Sequence, residues 1–284
     1  MMFRRQYHCF VAGLADLAFD TGKGVLAMSD FREEMKNTLH PDDYSKVFVL
    51  FLPSDNKNLV AYLKGSAELP DAAGNYTLTD FEEQKRALQS IIKEDDILLP
   101  YMVEFMRDWL DSENGIDKTE ADKRLTEGYI YAGLNSGSSF LGKWIRFDTD
   151  LKNILTLVNA KMLGLDAVNS IVGDDHLATR LREIYSSGKD FQVPVEPEYV
   201  PGLFRIAVES EFLEREKKSD LARWDFIDSE TFFEYFTIDL ILGYIIKLSI
   251  VSRWKLLDPE TGKKMLDRLV KDMETPVISG SVTD

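Results

Sequence analysis

Apolar residues recur along most of the chain at the i, i+3, i+4, i+7 spacing of an amphipathic helix, and strand signals are almost absent. Tyr7, Phe10, Val11, Leu14 and Leu17 set the pattern first, although Tyr7, Cys9 and Val11 also alternate as in a short strand. Ser29–Glu33 opens a helix. Pro41 starts another over Asp42–Leu52 that Pro53 should stop, and a short one follows from Asp55 to Leu63, with Gly65 just beyond. Thr79-x-x-Glu82 reads as a capping box for a helix to Lys93, and Ile97–Leu110 as the next. A helix from Thr119 or Glu120 ends near Ala132 in the Gly/Ser run GLNSGSSFLG. Asp148 or Thr149 then caps an amphipathic helix with Leu151, Ile154, Leu155, Val158 and Met162 on one face, closed by Gly164. Asp174 or Asp175 caps His176–Tyr185.

The strongest apolar stretch is Ser229–Leu257. Read as one helix it is apolar on nearly every azimuth and predicts a buried organiser for the others. Asp239 and Lys247 interrupt it, leaving no charge-free window near the ~20 residues that cross a bilayer. Both charges are placed at the rim of the bundle, where they need no buried partner. Ser210–Trp224 precedes it as a helix, and Asp258-Pro259-Glu260 caps a last one carrying Met265, Leu266, Leu269 and Met273. The prediction is an all-α, multi-helix bundle: a single helical domain over 1–274 with a mobile tail at 275–284. Sub-units at 1–110, 111–188 and 203–274 would be separated by the Pro-rich linker 189–202, which cannot be helix.

Asp55-Asn56-Lys57-Asn58-Leu59-Val60 and Asp150-Leu151-Lys152-Asn153-Ile154-Leu155 share the pattern D-x-K-N-[LI]-[LV], 95 residues apart. Asp239-Leu240-Ile241-Leu242 is a worn candidate for a third copy. Chance likeness of capped helices and true repetition both account for the pair, and three units of about 90 residues would fill the length.

Charge narrows the function classes. With 34 basic and 49 acidic residues the formal net charge is −15, which disfavours nucleic acid and direct adhesion to anionic lipid. The single Cys9 excludes an internal disulfide and a Cys-based zinc site. The two Arg before an apolar patch at the start do not amount to a secretory signal. Gly137–Trp144 approaches a P-loop but puts Trp144 where a hydroxyl should meet Mg²⁺, and no strand precedes it. Asp174-Asp175-His176 offers donors without a spaced partner set, and reads as a helix cap. Catalytic, cofactor and metal residues are therefore expected to be none. Lys143, Trp144, Arg146 and Phe147 are the one place where aromatics interleave with basic charge, and are the candidate partner-binding residues.

The opening QYHCFVAGLADLAFD with SDFREEM resembles a small bacterial family of uncharacterised proteins encoded among V/A-type ATPase subunits. FDTDLKNILTLVNAKMLGLD and YIIKLSIVSRWKLL...GKKMLDRL are also similar to the C-type subunit of those rotary ATPases, called d in the eukaryotic enzyme. The resemblance implies an all-α protein of three related helical units forming a funnel, without catalytic residues or cofactor. Such a protein seats the rotor shaft on the membrane proteolipid ring. Its expected partners are the shaft subunits and the ring, with no nucleic acid and no direct membrane insertion. Its expected location is cytoplasmic and peripheral, held at the inner face of the cell membrane through protein contacts. The alternatives are a helical scaffold or assembly factor for the same complex, and a metal-dependent helical enzyme.

Overall fold

Three long helices carry the architecture, and each is set by a different start. α3 (Pro41–Leu63) begins with Pro41 in its first turn and with the His40 ring accepting from the Asp42 amide at 3.2 Å. α7 (Ser139–Leu163) is capped by Ser138, whose Oγ accepts from the Leu141 amide at 3.1 Å, and closes on Gly164 at φ +65°. α11 (Ile238–Leu256) is the last among the described residues. The computed structural model describes residues 5–19, 27–90, 95–166, 168–186 and 193–256, and over these the chain is helical with no strand. The helix predicted over 259–273 and the tail 275–284 lie outside the described residues.

Shorter helices follow α3 and α7 in the same order. After α3 come α4 (Leu78–Gln89), α5 (Pro100–Asp111) and α6 (Lys118–Leu134); after α7 come α8 (His176–Ser186), α9 (Val200–Ala207) and α10 (Phe212–Thr231). The starts Pro41 and Ser139 are 98 residues apart, as are Leu78 and His176. Packing repeats too: α3 contacts α4, α5 and α6, while α7 contacts α8, α9 and α10. The last helix of each set then supports the next long one, α6 on α7 and α10 on α11, as α2 (Met28–Thr38) does on α3. α11 packs directly on α3 and α7. α1 (His8–Ala12) is helical, which resolves the helix-or-strand reading of that stretch.

The repeated arrangement of a long helix with its supporting helices runs over α3–α6 and again over α7–α10. Position 110 lies in the last turn of α5, and α5 and α6 pack on each other and on the same α3. The predicted third copy of the repeat fails by position. Asp239 is the second residue of α11, whereas Asp55 and Asp150 lie well inside α3 and α7.

Several helix limits differ from the sequence pattern. Pro53 does not stop α3 but sits within it. The missing backbone donor costs about 3 kcal/mol. Burial of Val47, Val49, Phe51, Leu52 and Leu59 outweighs it, at roughly 1.5–3 kcal/mol for each such side chain. α7 starts nine residues before Asp148, since Phe140, Leu141, Trp144, Ile145 and Phe147 extend its buried face upstream. The capping box of α4 is Thr77 with Asp80, not Thr79 with Glu82. The linker prediction loses Val200–Gly202, the first turn of α9.

The stretch Ser229–Leu257 is not one helix. α10 continues to Thr231, residues 232–237 turn back, and α11 runs antiparallel to α10. Gly243 permits their close crossing, because a Cβ there would lie 2.8 Å from a methyl of Ile227 and 3.1 Å from that of Thr231. From Ile238 onward the buried reading holds: Ile241, Leu242, Ile245, Leu248 and Val251 are all core.

Candidate functional site

The repeated D-x-K-N sequence has a repeated structural job. In α3 the Asn58 side chain donates to the Asp71 carbonyl at 2.8 Å and accepts from the Asp71 amide at 3.0 Å. In α7, Asn153 does the same to Val172, at 2.8 and 2.9 Å. Each clamped loop is also held by an arginine: Arg32 donates to the carbonyls of Ala73 and Gly74, and Arg182 to those of Ile171 and Gly173. Asp55 accepts from the Asn75 and Tyr76 amides at 2.6 and 3.0 Å, and Asp150 accepts from the Tyr199 hydroxyl at 2.6 Å. Burial pushes the Asp150 carboxyl up to about 6, against the Tyr199 hydrogen bond and Arg146 and with the help of Asp175. Asp55 is likewise pushed up to about 6 by burial, against its bonds from Tyr76 and Asn75. These acids are loop anchors.

A second polar cluster joins α7, α10 and α11. Arg223 donates to Asp148 at 2.8 Å and to Asp220 at 2.9 Å. Asp220, 1 % exposed, also accepts from Trp254 Nε1 at 2.7 Å and from Arg253. Burial alone would raise the Asp148 carboxyl, but Lys152 and Arg223 hold it well below the usual carboxylate range. Asp148 was read as a cap and Asp239 as a rim residue. Asp239 is buried, and accepts from Ser138 Oγ at 2.7 Å. Lys247 pairs with Asp228 and lies over the Trp224 ring.

The four candidate partner-binding residues do not form one surface. Trp144 and Phe147 are buried, with Phe147 stacked on Phe226 at 4.2 Å between centroids. Lys143 and Arg146 are exposed, Lys143 at the edge of the α7–α10 contact, where it is bonded to Glu230 at 2.7 Å. Gly137–Trp144 is a cap and first turns of α7 rather than a phosphate loop. Asp175 accepts from the Ala178 amide at 2.8 Å, as a cap does, and Asp174 faces Arg182 at 3.6 Å. Among the described residues no three His, Cys, Asp or Glu are grouped to hold a metal.

Exposed apolar side chains instead collect at the two ends of the antiparallel α7–α10 pair. At one end lie Phe232, Phe233 and Tyr235, just beyond the end of α10. The Lys143–Glu230 pair ties α7 to α10 there. At the other lie Met162, Leu163 and Leu165 with Val208, Phe212 and Leu213, tied by Arg215 donating to Asn159 at 3.0 Å. The sixteen-residue separation of Lys143 and Asn159 on α7 places the ties about 24 Å apart. The far end escaped the sequence reading because Met162 was assigned to a buried face and Phe212 and Leu213 were given no role of their own.

The fold thus defines an all-helical protein of repeated long-helix units with two apolar ends. The chain belongs to the DUF2764 family, described as protein of unknown function, which it matches over residues 4–277. No curated protein and no solved structure matches it. No helix among the described residues is long and apolar enough to cross a membrane.

Proposed function

We propose that this protein is a non-catalytic subunit of a V/A-type ATPase, resembling the C/d type, that joins the rotor shaft to the membrane ring. The observation that carries the reading is the repetition of the long helix with its supporting helices, since the resemblance calls for three related helical units. The two apolar ends supply what a coupling piece needs, two separated surfaces on one helical frame. The acidic balance favours partners with basic patches over lipid.

On this reading the protein sits at the cytoplasmic face of the membrane through protein contacts. It co-purifies with ATPase subunits from membranes and is released by raised salt without detergent, because salt screens exposed charge pairs. Its deletion leaves ATP hydrolysis by the soluble head intact and abolishes ion pumping. Recovery wholly in the soluble fraction without an ATPase subunit, or pumping that survives deletion, would overturn the proposal.

A further inference from the structure

The corner where α10 turns back into α11 combines exposed aromatics with an acidic local sequence, two of whose carboxylates, Asp228 and Glu230, are paired with Lys247 and Lys143. Phe232, Phe233 and Tyr235 are 67, 78 and 64 % exposed within four residues, and the two Phe rings meet edge-on at 4.8 Å. Residues 225–235 read DFIDSETFFEY, with four carboxylates and no base. The backbone here is held in place. The Tyr7 amide donates to the Phe236 carbonyl at 2.8 Å, the Glu234 amide to the Thr231 carbonyl at 2.9 Å, and the Thr237 hydroxyl to Glu234 at 2.7 Å. Large apolar side chains fixed in water next to one another mark a contact surface more often than scattered single residues do.

The chain itself shows what kind of occupant such a corner takes. At the α2–α3 corner the chain's own Arg5-Gln6-Tyr7 segment lies over the acidic first turn of α3, and its Tyr7 amide reaches the edge of the α10–α11 corner, whose acids stand at the end of α10 instead. Arg5 donates to Asp42 at 3.0 Å, and the Tyr7 hydroxyl donates to Asp43 at 2.6 Å. A basic, aromatic segment thus covers an acidic helix start. With Glu230 paired to Lys143 and Asp228 to Lys247, a second copy of the whole protein would set Asp225 and Glu234 against their like, which is unfavourable.

We propose that the α10–α11 corner docks a segment of a different protein in which apolar residues are flanked by Lys or Arg. The apolar residues cover Phe232, Phe233 and Tyr235, and the bases meet Asp225 and Glu234. The corner is then one of the two contacts of the coupling subunit, and the proposal rests on that reading only for the partner's identity.

The test replaces Phe233 with the photo-crosslinking residue p-benzoyl-phenylalanine in cells that make the protein, followed by mass-spectrometric mapping of the adduct. A thermal melt within a few degrees of the parent protein's confirms folding. The expected adduct lies in an apolar segment bordered by Lys or Arg, and its yield falls at least about tenfold when Asp225→Lys and Glu234→Lys are added. An adduct on an ATPase subunit supports both the corner and the coupling reading. An adduct of the stated chemistry on any other protein keeps the corner and counts against coupling. Adducts only with a second copy, an acidic segment or lipid, or no adduct, overturn the corner, while co-purification with the ATPase judges the coupling reading separately.

Discussion

Replacing Asp150 with Asn should change the pH dependence of stability in a direction the structure fixes. Asp150 is 2 % exposed and receives one hydrogen bond, from the Tyr199 hydroxyl. Burial, with Asp175 nearby, raises its carboxyl from 3.8 to about 6. A folded-state value above the unfolded one means that the folded protein binds the extra proton. Stability therefore rises as pH falls through about 6, and the gain is complete below about 4. Two pKa units correspond to about 3 kcal/mol in full, of which about 1 kcal/mol accrues between pH 7 and pH 5. Asp150→Asn keeps an oxygen for Tyr199 and cannot ionise, so it lacks this step. Urea unfolding of both proteins at pH 7, 6 and 5 should show their stability difference moving by about 1 kcal/mol in favour of the parent as pH falls. Asp55, also raised to about 6, titrates in both proteins and cancels. A difference that stays constant across that range would refute the buried, proton-binding role of Asp150.

Other perturbations read other parts of the frame. Asn153→Leu strips both bonds from the Val172 backbone and should cost about 2–4 kcal/mol, with loss of hydrogen-exchange protection at the Val172 amide; full protection in the variant would show the clamp to be dispensable. Arg223→Met leaves Asp148 and Asp220 short of their shared cation and should cost about 3–5 kcal/mol by urea unfolding. Ile241→Asp puts an unpaired charge in the core of α11 and should abolish the cooperative thermal transition. Calorimetry of the protein with MgATP should be flat, since Ser138 is committed to capping α7 and Trp144 is buried; micromolar binding lost in Lys143→Ala would reverse that assignment.

Helix class was legible because the 3.6-residue periodicity runs through most of the chain. The repeat was legible for a more specific reason. Asp55, Asn58 and Asn153 each grip a loop backbone from inside the bundle and Asp150 holds the Tyr199 hydroxyl, and those tasks tolerate few side chains. Lys143–Phe147 misled because charge and aromatic character alternate there. Trp144, Phe147, Leu151, Ile154 and Val158 in fact form one continuous i, i+3, i+4 stripe of core, with the bases on the outer side. The turn at 232–237 that splits Ser229–Leu257 contains no Gly or Pro to announce it. It depends on α10 and α11 meeting across Gly243, a contact that local sequence cannot display.

The direct seat of α11 on α3 has a bearing on how the chain comes to be made. In an open stack of repeats each unit touches only its neighbours, and folding can advance along the stack one unit at a time. Here α3 and α11 meet across the 174 residues of chain between Leu63 and Ile238. During synthesis, α3 emerges with part of its surface awaiting a partner that does not yet exist. Completion of the core must wait until residue 256 has left the ribosome, and contacts of such long range are slow to close. A prematurely terminated product would present that unfilled apolar seat to the cell, an invitation to chaperones and proteases that the finished molecule withdraws.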